Sequence, residues 1–366
     1  PREYAYTLRF PGGVTLILGA AFLKNEIANG NVYVANLKLT SDYKLIMSKP
    51  ANAENNAKDD NVVTKTHTRA GVTLSKKLIK NIDSSKALKF SHRDTRQLAA
   101  KAAMLGDKSI LRKVYGVTVV ETFDSIIICS LGTIRLPEDC REMFYASSFK
   151  SIDFTNVDWQ NVKHIDGMFG GAAAKSIVFG DVHEANIWSM KAAFEGARVK
   201  TLDLTKFNTS RVKDMSRLFC SCKARKIVMD GIDTSNVETM NCMFCSCNAE
   251  VSIKGINTSN VKDMELMFSH CIGISIDYTQ INTSSVQNMK NMFRGYRCRG
   301  SLDISSFNTS KVEVMEGMFL EARIQYIVLG RIDTKNVKNM AFMFAALETG
   351  IIDLSGINTR SLIDIE

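Results

Sequence analysis

The sequence predicts an α/β solenoid, with short parallel strands on one face and helices on the other, preceded by a small α+β domain. Three observations carry that reading. A phrase close to Asn/Asp-Thr-Ser-x-Val-x-x-Met-x-x-Met-Phe recurs every 24 to 26 residues and ends at Phe144, Phe169, Phe194, Phe219, Phe244, Phe268, Phe293, Phe319 and Phe344. A fixed period of this size marks one supersecondary unit stacked on copies of itself. Within a unit, a period-two stretch such as Leu302-Asp303-Ile304 is followed by Val312, Met315, Met318 and Phe319 at i, i+3, i+6 and i+7. The first spacing is that of a strand and the second of one helix face. Finally, residues 1–137 hold 21 Lys+Arg against 11 Asp+Glu, whereas the remainder holds 26 against 27. The net charge of +9 therefore lies in front of the repeats.

Taken in order, residues 1–48 read as strands. Glu3 to Phe10 alternates loosely, Pro11-Gly12-Gly13 marks a turn, Val14 to Leu18 is apolar, and Asn29-Gly30-Asn31 precedes an apolar run from Val32 to Leu37. Residues 48–71 lack periodicity and are rich in Asn, Ala, Lys and Asp, which predicts a mobile loop. Ser91 to Leu105 has helical spacing, with Asp94 near its start and Gly106 beyond its end. Val117 to Cys129 is β-branched and reads as strand. These segments make residues 1–136 a basic N-terminal domain, and residues 137–366 the repeat array.

Pro137 stands where later units carry Val or Ile, and proline fits the first turn of a helix, so the array is expected to open with a helix. From Asn208 onward the Asn-Thr-Ser triplet, or its close variant, is placed to accept hydrogen bonds from a helix start. One unit is too small to bury its apolar stripe alone; stacked units bury it against each other.

This arrangement resembles the leucine-rich-repeat horseshoe. The wording of the repeat, with its Asn-Thr-Ser, Val-x-x-Met and Met-Phe elements, is similar to the BspA-like repeat family over about residues 137–366. That family tends to place Cys three residues after Met-Phe, as at Cys222, Cys247 and Cys271; here Ala172, Ala197 and Tyr296 depart from it. The resemblance implies a right-handed leucine-rich-repeat-type solenoid, and surface adhesion or host-protein binding. Residues 1–136 resemble no family.

The outward strand column is the expected partner-binding face. It holds Asp153, Asp203, Val228, Asp277, Asp303, Val328 and Asp353, with Val178 and Ser252 in the same register. Period two turns these side chains away from the core, and Val or Ser between carboxylates relieves repulsion between neighbouring strands. A second candidate is anion binding, to nucleic acid or an anionic surface, within residues 76–101, by Lys76, Lys77, Lys80, Arg93 and Arg96. Aromatic residues for base stacking are sparse there; Phe90 is one.

The nine cysteines include Cys220, Cys222, Cys242, Cys245 and Cys247. Repeat stacking accounts for the Cys220/Cys245 column and for the Cys222/Cys247/Cys271 column as packed thiols. Zinc and an inter-repeat disulfide are the competing readings. We assign no metal, no cofactor and no catalytic residue, because the chain lacks a His-x-x-x-His pair, a phosphate loop and a nucleophile elbow.

The chain has no run of about 20 apolar residues that would span a membrane, no signal-like start and no cell-wall anchor. With its unpaired thiols, this predicts a non-enzymatic protein-binding or structural module in the cytoplasm or a virion. The alternatives are an exported cell-surface adhesin and a nucleic-acid binder. The last repeat stops before its Met-Phe, so self-association or capping by a partner is expected at the C-terminal end.

Overall fold

The computed structural model describes residues 6–9, 15–18, 71–92, 110–114, 117–352 and 357. The chain divides into two compact units, Pro1–Thr68 with Arg96–Ser109, and Arg69–Thr95 with Ile110–Glu366. In the first, β1 (Tyr6–Arg9) and β2 (Thr15–Leu18) form an antiparallel pair, as the apolar runs around the Pro-Gly-Gly turn predict. The loop read over 48–71, the run 32–37 and the helix read over 91–105 lie outside the described residues, save at their edges. At one such edge, Ser91 ends a strand and does not start a helix.

The second unit contains the repeats. Nine rungs stack in parallel through Phe144 to Phe344, whose rings form one continuous pile. All eight neighbouring pairs lie 5.4–5.9 Å apart with interplanar angles of 2–15°. In-register strands about 4.8 Å apart place identical residues at this separation, so the sequence period becomes a stacking period. Met215, Met240, Met264, Met289 and Met315 are fully buried beside the pile, as are Val212, Val237, Val261, Val286 and Val312.

One wall of most rungs is strand. After β3 (Val72–Thr73), the five-residue helix α1 (Lys76–Lys80) and β4 (Ala87–Ser91), a meander follows: β5 (Ile110–Val114), β6 (Val117–Glu121) and β7 (Ser125–Cys129). The run 117–129 is thus two strands joined by a turn. β8 (Ile134–Arg135) pairs with β3. β4 lies between β7 and the first rung strand, β9 (Ile152–Asp153), and pairs in parallel with both. It occupies the place of a preceding rung, with Phe90 stacked on Phe154 at 5.4 Å. Later rungs contribute β10 (Ile177–Val178), then β11 (Thr201–Asp203), β12 (Lys226–Val228) and β13 (Glu250–Ser252), then β14 (Arg297–Asp303), β15 (Arg323–Val328) and β16 (Glu348–Ile352).

The helices expected on the other face do not form, and the α/β class is corrected to a nearly all-β stack. From Met240 to Cys247, backbone amides alternate between two kinds of partner. Met240, Cys242, Phe244 and Ser246 donate to Asp263, Glu265, Met267 and Ser269 of the next rung at 2.8–3.0 Å. Met243, Cys245 and Cys247 donate three residues back, to Met240, Cys242 and Phe244, at 2.8–3.1 Å. An α-helix bonds four residues back within itself; here half the bonds leave the segment for its neighbour.

Two left-handed residues per rung make this path possible. One column, two before each Phe, contains Glu142, Ala192, Arg217, Cys242, Leu266, Asn291 and Phe342 together with Gly167 and Gly317. The other, two after each Phe, contains Ala146, Ser221, Ser246, His270, Glu321 and Ala346 together with Gly171, Gly196 and Gly295. A non-glycine residue there costs about 1–2 kcal/mol, offset by the rung-to-rung bonds and by burial of Phe. Pro137 likewise opens no helix; it precedes an isolated parallel bridge from Asp139 to His164.

The Asn-Thr-Ser triplet caps no helix either. Asn257 accepts the Ser259 amide at 3.0 Å, closing a local turn. Thr258, fully buried, donates its hydroxyl to the Asn282 carbonyl at 2.9 Å and accepts the Asn282 amide at 2.8 Å. Thr234, Thr283 and Thr309 make the same reciprocal pair with the rung that follows.

Candidate functional site

The strand wall presents the column singled out above. Inward residues Ile152, Leu202, Ile227, Val251, Leu302 and Ile327 are buried. Their strand neighbours face out in register: Lys89 beside Asp153 beside Val178, Asp203 beside Val228 beside Ser252, and Asp303 beside Val328. The column is divided among three separate sheets. Val178 and Val328 are 47% and 44% exposed, and Tyr326 on the same strand as Val328 is 44% exposed. Val228 and Ser252 are half-buried, and Ser252 donates to Asp230 at 2.6 Å. Asp353 lies outside the described residues.

Several of these carboxylates also hold the chain's own turn. Asp153 accepts the Thr155 amide at 2.9 Å and Asp203 the Thr205 amide at 3.0 Å, each taking the threonine hydroxyl as well. Asp303 accepts the Ser305 amide at 2.9 Å. Asp277 stands on no ladder strand; it caps the short 3-10 turn Tyr278–Gln280 and accepts from Thr279. Hydrogen bonds from the residue two positions on hold the Asp277 and Asp303 carboxyls below their ordinary value. These groups are thus negative, exposed and rigidly aimed.

A second outward column escaped the sequence reading. It is the residue after each repeat Val or its equivalent: Glu138, Lys163, Trp188, Lys213, Glu238, Lys262, Gln287, Glu313 and Lys338. Each of the last eight donates its amide to the carbonyl of the one before. No two like charges are adjacent. Lys163 pairs with Glu138 at 3.1 Å and lies over the Trp188 ring at 5.3 Å. Lys213 and Lys262 flank Glu238 at 3.7 and 3.2 Å, and Lys338 meets Glu313 at 2.7 Å. Exposed pairs of this kind are each worth about 0.2–1 kcal/mol, and a one-rung slip would set Lys213 against Lys163 and Lys262.

Of the cationic candidates, Lys76, Lys77 and Lys80 lie on α1, with Lys77 and Lys80 exposed. Lys76 is paired with Asp139 at 3.0 Å, which offsets its charge. Arg93 and Arg96 lie outside the described residues.

All nine cysteines are free thiols. Cys222, Cys247 and Cys271 are buried in one column, where burial pushes Cys222 up to about 12 and Cys247 to about 11. Cys271 donates to the Phe244 carbonyl at 3.0 Å. Cys220, Cys242 and Cys245 form a separate cluster at the turn wall, with the Cys245 thiol against both others. Among the described residues no group of three His, Cys, Asp or Glu side chains is placed to hold a metal ion. Nor is any described helix long and apolar enough to cross a membrane.

Three overlapping segments, 138–252, 188–299 and 246–358, match the family model described as "Mycoplasma protein of unknown function, DUF285". Together they span more than half of the chain. The chain belongs to the DUF285 family. No curated protein and no solved structure matches it. The matched segments contain the charge ladder, the strand column from Asp153 to Val328 and the cysteine cluster. A repeat family of this kind is consistent with a protein-interaction module. Within the DUF285 segments one signal was legible but passed over, the alternating charge one place after the repeat Val; Cys242-Met243-Phe244-Cys245 was singled out and read as packed thiols.

Proposed function

We propose that the chain is a non-enzymatic module that binds one protein partner through its strand wall and the adjoining loops. The observation that carries this reading is the strand column itself. It sets fixed carboxylates beside exposed valines, at Asp153 with Val178 and at Asp303 with Val328. Exposed Val side chains on a sheet face contribute nothing to the rung's own core, whereas apolar patches rimmed by charge suit protein contact. The charge ladder, by contrast, has its charges paired internally. The full set we assign to recognition is Asp153, Asp203, Val228, Asp277, Asp303, Val328 and Asp353.

We place the module in the cytoplasm or in a virion, since nine thiols suit a reducing compartment. The resemblance to BspA-like repeats supports a second reading, an exported adhesin for host proteins. Lys77 and Lys80 support a weaker third, binding of an anionic polymer.

The test is a pull-down from the native source, read by mass spectrometry, with wild type and with a variant carrying Asp203→Lys, Val228→Lys, Asp277→Lys and Asp303→Lys. One dominant protein retained by wild type and lost by the variant is expected. Retention by the variant would refute the strand wall as the site. A bound fraction dominated by nucleic acid, falling steeply with salt, would favour the third reading.

A further inference from the structure

The turn wall carries a cluster of three thiols, Cys220, Cys242 and Cys245. Cys242 and Cys245 are the ends of one tight turn, with the Cys245 amide donating to the Cys242 carbonyl at 3.1 Å. Turns of this kind bring their first and fourth Cα atoms within about 7 Å, and disulfides span Cα separations up to about 6.8 Å. Cys220 occupies the position of Cys245 one rung earlier, each immediately after its Phe. Cys220 and Cys242 are 6% and 7% exposed, and Cys245 is half-buried. The buried column of Cys222, Cys247 and Cys271 has no such access.

A cation completes the cluster. Arg217 holds the left-handed position two before Phe219, and Cys242 holds the same position before Phe244. The two are therefore stacked neighbours. Glu195 anchors the guanidinium through a 3.0 Å bond from Arg217 Nε. The Cys245 hydrogen bond, then Arg217, draws the Cys242 thiol below its ordinary value, while Cys220 and Cys245 are raised. Cys242 is thus the more acidic of the two neighbouring thiols, which is the division of labour in a reactive dithiol.

We propose that Cys242 and Cys245 form a reversible redox pair that reacts with small hydroperoxides. The Cys242 thiolate attacks one peroxide oxygen; the S–O bond forms as the O–O bond breaks. The departing hydroxide takes a proton from solvent and leaves as water, and Cys242 becomes a sulfenic acid. Cys245 then attacks the Cys242 sulfur, the S–S bond forms, and the displaced hydroxide leaves as water with the Cys245 proton. Two thiols and one hydrogen peroxide give one disulfide and two waters, the peroxide accepting two electrons.

The test exposes the reduced full chain to hydrogen peroxide, blocks remaining thiols with N-ethylmaleimide, and maps disulfides by proteolysis without reductant. A Cys242–Cys245 crosslink, reversed by dithiothreitol and formed at least about tenfold faster than Cys222, Cys247 or Cys271 oxidise, is expected. In Cys245→Ser the sulfenic acid on Cys242 should persist and be captured by dimedone. Circular dichroism checks that each variant folds. Arg217→Ala should move the pH profile of Cys242 oxidation upward, a change that a packing role would not produce. Dimedone on Cys220 instead, a Cys220–Cys245 crosslink as the main product, or a Cys242→Ser chain oxidised at the wild-type rate would overturn the proposal.

Discussion

The two walls of the same rung follow different rules. The strand wall varies: β9 has two residues, β14 has seven, and one rung replaces its strand with the 3-10 turn Tyr278–Gln280. The turn wall does not vary: all nine rungs repeat the same pair of left-handed residues, and the Phe pile runs unbroken. Register is therefore set on the turn wall, where amides cross to the next rung and rings stack. The strand wall is relieved of that task, and its outward residues can differ from rung to rung without loss of the stack. That division explains why the wall we assign to recognition is the irregular one.

The largest break of this comparison should come from the Phe pile. Phe219→Ala removes a fully buried ring stacked on both sides. It should cost about 3–5 kcal/mol, seen as a large fall in the midpoint of urea unfolding. Asp203→Ala on the strand wall of the same rung should shift that midpoint far less; equal losses would contradict the division of roles.

The threonine column gives an intermediate effect. Thr258→Val keeps the shape but strands the Asn282 amide and carbonyl. Leaving buried groups unpaired costs about 1–3 kcal/mol, and hydrogen exchange at the Asn282 amide should accelerate. A variant as stable as wild type would remove these bonds from the account.

Acid should act through the local turns. Hydrogen bonds from Ser235, Thr279, Ser305 and Lys335 hold Asp233, Asp277, Asp303 and Asp333 below their ordinary values. Their folded values lie below the unfolded ones. The stability they add is complete above about pH 4 and is lost as pH falls through the folded values. A melting temperature that rises on acidification over that window would contradict this. The smallest effect belongs to the charge ladder: Lys262→Ala should cost no more than about 1 kcal/mol, and a larger loss would mean the ladder does more than fix register.

Much of this was legible in the sequence. The period, the Val-Met-Phe core and the inward strand residues Leu202 and Leu302 followed directly from spacing. The turn wall did not, because i, i+3, i+6, i+7 is met equally by a helix face and by three-residue turns that bring the chain back to one side. Arg217, Leu266 and Phe342 gave no hint that their backbones are left-handed. Gly167 and Gly317, recurring at one place inside a supposed helix, were the available warning. The strand column was visible as a pattern, but the bonds from Thr155 and Thr205 to its carboxylates depend on a turn that spacing alone does not specify.

Far-ultraviolet circular dichroism of the full chain tests the central claim most directly, since the turn wall either is or is not helical. The account predicts a spectrum without the helical signal that nine repeat helices would add. A spectrum carrying the weight of nine helices, one per Met-x-x-Met-Phe segment, would contradict it.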